Sequence, residues 1–192
     1  KDCNPKWTPA AQVALDKDED GEPMQEAWNY PSVVGMLLYL TMNTRPDIQF
    51  AVSQVARFNH NPKRSHAAAV KTIIRYLKRT ENMGMYVDPN PDDLHLTVFC
   101  DADFAGLYGR GPERDETTAK SRTGYLVKLG GLPLIWRSQL QTAIALSTLE
   151  AEYQALSDCL RTVIHTKAML TEVVKGVGVP GDVSASIGCT VF

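Results

Sequence analysis

Two periodicities divide the chain. From about residue 29 to residue 80, apolar positions recur every three or four residues, and beyond residue 93 they alternate one by one. The first spacing predicts three helices. One runs from about Pro31 to Met42, with Val34, Leu37, Leu38 and Thr41 on one face and Pro31 at the first helical position, where its missing N–H costs nothing. A second opens at Thr44-Arg45-Pro46-Asp47, which reads as a capping-box-like start, and continues through Ile48, Val52 and Val55. The third begins near Ser65. It sets Val70, Ile73, Ile74 and Leu77 at i, i+3, i+4 and i+7, while Lys71, Arg75 and Lys78 repeat that spacing on another face.

The second half reads as sheet. Leu94, Leu96, Val98 and Cys100 alternate with His95, Thr97, Phe99 and Asp101, so a strand ends in acid. A charged, Gly-containing loop over 105–120 leads to a second strand, Ser121–Leu129, and Gly130-Gly131 turns it into a third, Leu132–Arg137. From Ser147 a long helix runs to about Lys175 and stops at the glycines and proline of 176–181. Ile187–Phe192 reads as a fourth strand. The order β-β-β-α-β, preceded by three helices, predicts a mixed α/β fold. The turn-rich Asp88-Pro89-Asn90-Pro91-Asp92-Asp93 marks a domain boundary between the two parts, and Asp92-Asp93 is turn chemistry rather than a polymerase metal pair.

Charge changes this picture more than composition does. Hydrophobic residues make up 44% and charged residues 22%, an ordinary globular balance, and the net charge is only −2. Residues 1–28, however, hold seven acids against three lysines, and residues 51–80 hold seven bases and no acid. The acidic stretch has no apolar period and reads as an extended linker or a segment draped on a neighbour; its acids do not fit a calcium loop. The basic stripe Lys71/Arg75/Lys78 is either a solvated face or a phosphate track, and the absence of mixed signs keeps the second reading open. No run approaches the roughly 20 apolar residues that span a bilayer, and no signal peptide is expected. Cys3, Cys100, Cys159 and Cys189 have no zinc-ligand spacing, so free thiols are expected. The four histidines (His60, His66, His95 and His165) likewise predict packing or surface roles rather than metal binding.

Few acids lie where chemistry would put them. Asp101 ends a strand and Asp103 follows on the same strand face. In Ser147-Thr148-Leu149-Glu150-Ala151-Glu152-Tyr153, Ser147 and Glu150 have capping-box spacing, which gives Glu150 a sufficient structural task. Glu152 has none. Ala155, Leu156 and Cys159 at i+3, i+4 and i+7 place it on the expected sheet-facing stripe, where a carboxylate is costly without a metal or partner. Each acid has a bland alternative, a turn for Asp101 and an edge residue reaching water for Glu152. A strand-end Asp and a helix Glu facing one sheet are what two-metal phosphoryl chemistry uses, although such a site needs three or four carboxylates.

Several segments resemble one family. Cys100-Asp101-Ala102-Asp103-Phe104-Ala105-Gly106 is similar to the S-D-A-D-W-A-G signature of Ty1/copia-type retrotransposon RNase H domains. Ser121-Arg122-Thr123-Gly124-Tyr125 resembles their S-T-S-G-Y, and Ile135-Trp136-Arg137-Ser138-Gln139 their I-x-W-x-S-K-x-Q. The stretch from Ala145 to Leu156 resembles A-L-S-T-x-E-A-E-Y-x-A-L. Upstream, Tyr30–Leu40, Thr44–Ile48 and Arg75–Thr80 resemble the segment that joins polymerase to RNase H, and Trp7-Thr8-Pro9-Ala10 its entry. The likeness covers nearly the whole chain, in the family's order.

That resemblance implies an acidic linker over 1–28, a helical connection at the end of a reverse transcriptase over 29–88, and an RNase H-like domain over 94–192, truncated after its fourth strand. It implies Asp101 and Glu152 as catalytic metal ligands, Asp103 as an outer ligand, and two Mg²⁺ ions, for which Mn²⁺ can substitute. The implied partners are an RNA–DNA hybrid, positioned through Lys71, Arg75 and Lys78, and the rest of the polyprotein, in a cytoplasmic retroelement particle. The family's third catalytic Asp follows the fourth strand, and Asp182 precedes that strand and cannot replace it. The expectation is therefore that the parent cleaves RNA in hybrids while this chain alone is inactive, or that the chain is a non-catalytic remnant that binds nucleic acid. An under-covered sheet would further expose an apolar patch and favour self-association.

Overall fold

The structure of the chain, a computed structural model, describes residues 4–10, 15–88, 93–108, 116–177 and 187–192. Cys3, the Asp92 half of the proline turn, residues 109–115 of the β-hairpin approach, the helix-stopping Gly178–Gly181 and Asp182 lie outside the described residues. The chain forms two compact units, one of Lys1–Met85 with Leu107–Ala119 and one of Tyr86–Gly106 with Lys120–Phe192.

The first unit is helical. Helix α1 spans Tyr30–Asn43, a single 3₁₀ turn Pro46–Ile48 leads into α2, Gln49–Ala56, and α3 spans Arg64–Arg79. Asn29 caps α1, its side-chain oxygen accepting the Ser32 N–H at 2.9 Å. Tyr30, Val34, Leu37 and Thr41 form the buried face of α1. They meet Ile48, Ala51, Val52 and Val55 from the turn and α2, and Ala69, Val70, Ile73 and Tyr76 from α3. Tyr30 buries its hydroxyl by donating to the Val55 carbonyl at 2.9 Å, and burial pushes its ionisation up.

Two sequence expectations need correction here. Arg45-Pro46-Asp47 is not a side-chain cap. The Arg45 guanidinium instead grips Asp47 through two bonds, Nε–Oδ1 at 2.9 Å and Nη2–Oδ2 at 2.7 Å, and donates to Thr80. In α3, Ile74 is exposed, because His66, Ala69 and Tyr76 rotate the buried stripe away from it. His66 is buried in a way its spacing did not suggest. Its ring stacks on Phe58 at 4.0 Å, Nδ1 accepts the Lys63 N–H at 2.9 Å, and Nε2 lies 2.8 Å from the Asp16 carbonyl. With one nitrogen accepting and the other facing a carbonyl, the neutral Nε2–H tautomer satisfies both contacts.

The second unit is a four-stranded sheet, ordered β3-β2-β1-β4, with one long helix. Strands β1 (Leu96–Asp103), β2 (Arg122–Leu129) and β3 (Leu132–Leu140) form an antiparallel meander; α4 (Thr148–Val177) follows, and β4 (Cys189–Val191) returns parallel to β1. A parallel return needs a crossover, and α4 belongs to it. The β2–β3 turn is Gly130-Gly131, both at positive φ, 53° and 86°, the geometry a two-residue hairpin loop needs. Leu96, Val98, Tyr125, Val127 and Ile187 pack with Cys159 and Val163 of α4. On the other face Phe99 and Phe192 stack at 5.5 Å and stay exposed, with Leu126 opposite Phe99 and Trp136 opposite Leu126. Among the described residues no helix is long and apolar enough to cross a membrane.

Candidate functional site

Alternation along β1 decides where its acids go. Leu96 and Val98 are buried, Cys100 half-buried, and Phe99, Asp101 and Asp103 exposed. Asp101 thus belongs to the set that faces away from the buried stripe of α4, at the end of the strand. Its neighbour across the ladder is Gly124, so no side chain crowds it from β2, whereas Asp103 has Arg122 opposite. Three positions of the Ser-Arg-Thr-Gly-Tyr segment have a local reason in side-chain hydrogen bonds. Ser121 Oγ accepts the Ala105 N–H at 3.3 Å, Arg122 reaches Ser138 at 3.3 Å, and the Tyr125 and Thr162 hydroxyls lie 3.0 Å apart.

Asp103 is shaped by the turn that follows it. Ala105 sits at φ 45°, and the Asp103 carboxylate occupies the place a Cβ on Gly106 would take, so a side chain there would make Asp103 swing aside. This arrangement engages Asp103 with its own turn.

On α4, Ser147 Oγ accepts the Glu150 N–H at 3.1 Å, and Glu150 Oε2 accepts the Leu146 N–H at 2.7 Å. Both groups are spent on the helix start. Glu152 makes no part of this cap, but its surroundings differ from the sequence expectation. The buried stripe is Ala151, Ala155, Cys159, Val163 and Thr166, and Glu152 is exposed beside it rather than within it. The i+7 relation to Cys159 was right, and the error was to centre the stripe one residue late.

The two carboxylates meet electrostatically at one group. Burial pushes the Cys100 thiol up, and the Glu152 and Asp101 carboxylates push it the same way, against a hydrogen bond with Cys159. Cys159 is wholly buried, and desolvation drives its thiol up to about 12. Asp101 follows Cys100 directly along β1, on the opposite strand face, and Glu152 acts on the same thiol from α4. Their oxygens are the hard donors that Mg²⁺ selects. Among the described residues no group of three His, Cys, Asp or Glu side chains gathers closely enough to hold an ion.

A positioning residue escaped the sequence reading. Gln141 is buried, its amide donating to Thr123 Oγ1 at 3.2 Å and to the Ala151 carbonyl at 2.8 Å, while its backbone N–H reaches Ser121. It ties the ends of β2 and β3 to the first turn of α4, which carries Glu152. A polar residue closing an apolar strand, just ahead of a helix start, was the available signal.

The basic helix is less free than its spacing suggested. Lys71 pairs with Glu26 at 2.5 Å and Lys78 with Glu81 at 2.9 Å, while Arg75 has no ion pair among the described residues. The acidic segment is accordingly not a plain extended linker. Pro23 bridges to Lys63, the Arg64 N–H donates to the Glu22 carbonyl at 3.0 Å, and Met24, Trp28 and Leu15 pack on the helical core.

Together these features define a two-unit mixed α/β chain, helices followed by a sheet with paired acids at one strand end. Several of its relatives are transposon polyproteins. It is 39% identical over 178 residues to the retrovirus-related Pol polyprotein from transposon TNT 1-94 of Nicotiana tabacum, covering 90% of this chain and 13% of that protein. It is 34% identical over 170 residues to the Pol polyprotein from transposon RE1 of Arabidopsis thaliana, covering 88% of this chain and 11% of that one. Secreted RxLR effector protein 161 of Plasmopara viticola is 36% identical over 135 residues, 70% of this chain and 89% of the effector. These similarities support a fragment of a retrotransposon polyprotein, and the chain spans only about an eighth of the two polyproteins' length. No family model matches it. No solved structure matches it either.

Proposed function

We propose that the chain is the part of a retrotransposon polyprotein where reverse transcriptase joins RNase H, and that the parent cleaves the RNA strand of RNA–DNA hybrids. What supports this is an acid at a strand end, Asp101, and an acid at the start of α4, Glu152, with Gln141 tying that helix start to Thr123 beside the same strand end, in a chain related to Pol polyproteins. Asp101 and Glu152 would hold Mg²⁺ or Mn²⁺. Bound divalent ions would activate water and stabilise the leaving 3′ oxygen. The chain's own contribution is positional. Gln141 and the Ser147–Glu150 cap hold the first turn of α4, so that Glu152 is presented at the same end of the sheet as Asp101. The basic face of α3 would hold the hybrid through its phosphates, without reading sequence.

The parallel return of β4 supports the same reading. The Cys100 N–H donates to the Phe192 carbonyl at 3.0 Å, so the C-terminal end of β4 lies beside Asp101. An acid next along β4 in a longer polyprotein would join the pair. The alternative, a non-catalytic nucleic-acid-binding or structural remnant, is favoured by the lack of any three-residue ligand group among the described residues.

Cleavage of an end-labelled RNA–DNA hybrid in Mg²⁺ or Mn²⁺ separates the two. A longer polyprotein segment should cut, and Asp101→Asn or Glu152→Gln should each cost more than the roughly 10–100-fold typical of an outer-shell partner. This chain alone should cut weakly or not at all. Cleavage by the longer segment that survives both substitutions overturns the site, and no cleavage by it leaves the remnant reading.

A further inference from the structure

The seven bases and no acid of residues 51–80 would be expected to present a bare cationic surface, yet the chain lays its own acids on it. Glu22 pairs with Arg64 at 2.8 Å and Glu26 with Lys71 at 2.5 Å. The Lys63 ammonium donates to the Gly21 carbonyl at 3.2 Å, and Ser65 hydrogen-bonds the Asp18 carboxylate. His66 completes the row by donating to the Asp16 carbonyl at 2.8 Å. We propose that the cationic face of α3 is a polyanion-binding surface whose resident occupant is the acidic segment 16–26, and that nucleic acid binds there by displacing this strap.

Spacing supports the exchange. Arg64, Lys71 and Lys78 recur every seven residues, so they form one row along the helix, with Arg75 one turn beyond Lys71. Arg64 and Lys71 stand about 10.5 Å apart along the axis, at roughly 1.5 Å per residue. Four residue steps lead from Glu22 to Glu26, and an extended chain spans that distance at about 3.3 Å each. The same 10.5 Å is about three nucleotide steps along one strand of a duplex. A phosphate backbone therefore offers the row the charges that the strap now supplies.

The strap also suits displacement. Of its two ion pairs, Glu22–Arg64 is solvent-exposed and Glu26–Lys71 half-exposed, so both are screened and weaken with salt. Leu15 on one side and Met24 and Trp28 on the other anchor it to the helical core. The acids therefore stay at high local concentration even when lifted, and they compete intramolecularly with any incoming anion. The inference rests on the nucleic-acid reading of α3 given above.

Its test compares the chain with Glu22→Gln/Glu26→Gln, measuring binding of a short fluorescent RNA–DNA hybrid across a salt series. The double variant should bind about threefold to tenfold more tightly. Its affinity should fall more steeply with salt, by roughly 0.9 in slope for each cation freed. Lys71→Ala/Arg75→Ala tells the two readings apart. If it weakens binding while the Gln variant binds like wild type, the strap inference is wrong and the nucleic-acid surface stands. If it leaves binding unchanged, or if nothing binds at low salt, both are wrong. Should the Gln variant fold poorly, hydrogen exchange on the wild-type chain decides. The Met24 and Arg64 amides, bonded to Pro62 and Glu22, should lose protection when hybrid binds, and retained protection in the complex overturns the proposal.

Discussion

Asp47→Asn isolates the charge that holds the helical unit's buried network. Asp47 receives two hydrogen bonds from Arg45 and one from the Tyr76 hydroxyl at 2.8 Å, and Arg45 also donates to the Thr80 carbonyl and hydroxyl. Burial by itself would raise the Asp47 carboxyl; the hydrogen bonds from Arg45 and Tyr76 outweigh it and hold the group below its ordinary 3.8. The substitution keeps the shape and removes the charge, leaving a guanidinium whose side chain is 8% exposed without a counter-ion. Stripping one partner from a fully buried pair costs about 3–5 kcal/mol. Asp47 is 30% exposed, so solvent screens part of that, leaving about 2 kcal/mol. In a unit of about 100 residues this lowers Tm by about 8–16 °C.

The sign of the pH effect is a second handle. A carboxyl depressed in the folded state contributes stability above its unfolded value near 3.8, and that contribution is lost as pH falls through the folded value. Urea unfolding followed by far-UV circular dichroism, repeated from neutral pH to below 3.8, should therefore show an acid limb in the wild type that is shallower in the variant. A loss under about 0.5 kcal/mol would place the substitution among ordinary surface changes. That result, or identical acid limbs, would refute the network's role.

Two further outcomes separate scaffold from chemistry in the sheet unit. Ser147→Ala should cost about 0.5–2 kcal/mol by removing the helix cap, whereas exposed Glu152→Gln should leave urea stability nearly unchanged; a large loss from Glu152→Gln would make it a structural residue. Cys159, with its thiol pushed up to about 12, should resist a disulfide reagent at mildly alkaline pH until the unit unfolds, and its contribution to stability should fade between its ordinary 9 and about 12; rapid labelling of the native chain would contradict its burial.

Much of the architecture was legible because periodicity and turn residues report it directly. Pro31 marked the start of the first helix, Gly130-Gly131 made the hairpin, and the strand-to-helix order gave the mixed α/β arrangement. Ser147 and Glu150 were legible as a cap from spacing alone. What escaped was tertiary. Arg45 and Asp47 resembled a cap locally, but their partners Tyr76 and Thr80 are some thirty residues away. Ala155, Leu156 and Cys159 put Glu152 on the expected buried stripe; Ala155 and Cys159 are indeed buried, but the stripe passes through Ala151 and leaves Glu152 exposed. The acidic segment has no period of its own, so its contacts with α3 could be read only from the basic side.

The parallel strand also sets an order in time. β2 and β3 are joined by a two-residue turn and β1 reaches β2 across residues 104–121, but Leu96 meets Cys189 only after more than ninety residues of intervening chain. Closing that loop is entropically costly before any contact repays it, so β4 should dock late. The edge of β1 beside Asp101 then stays unpaired through most of folding and, on a ribosome, through the synthesis of all of α4. The acidic end of the sheet would be the last part of this unit to take shape.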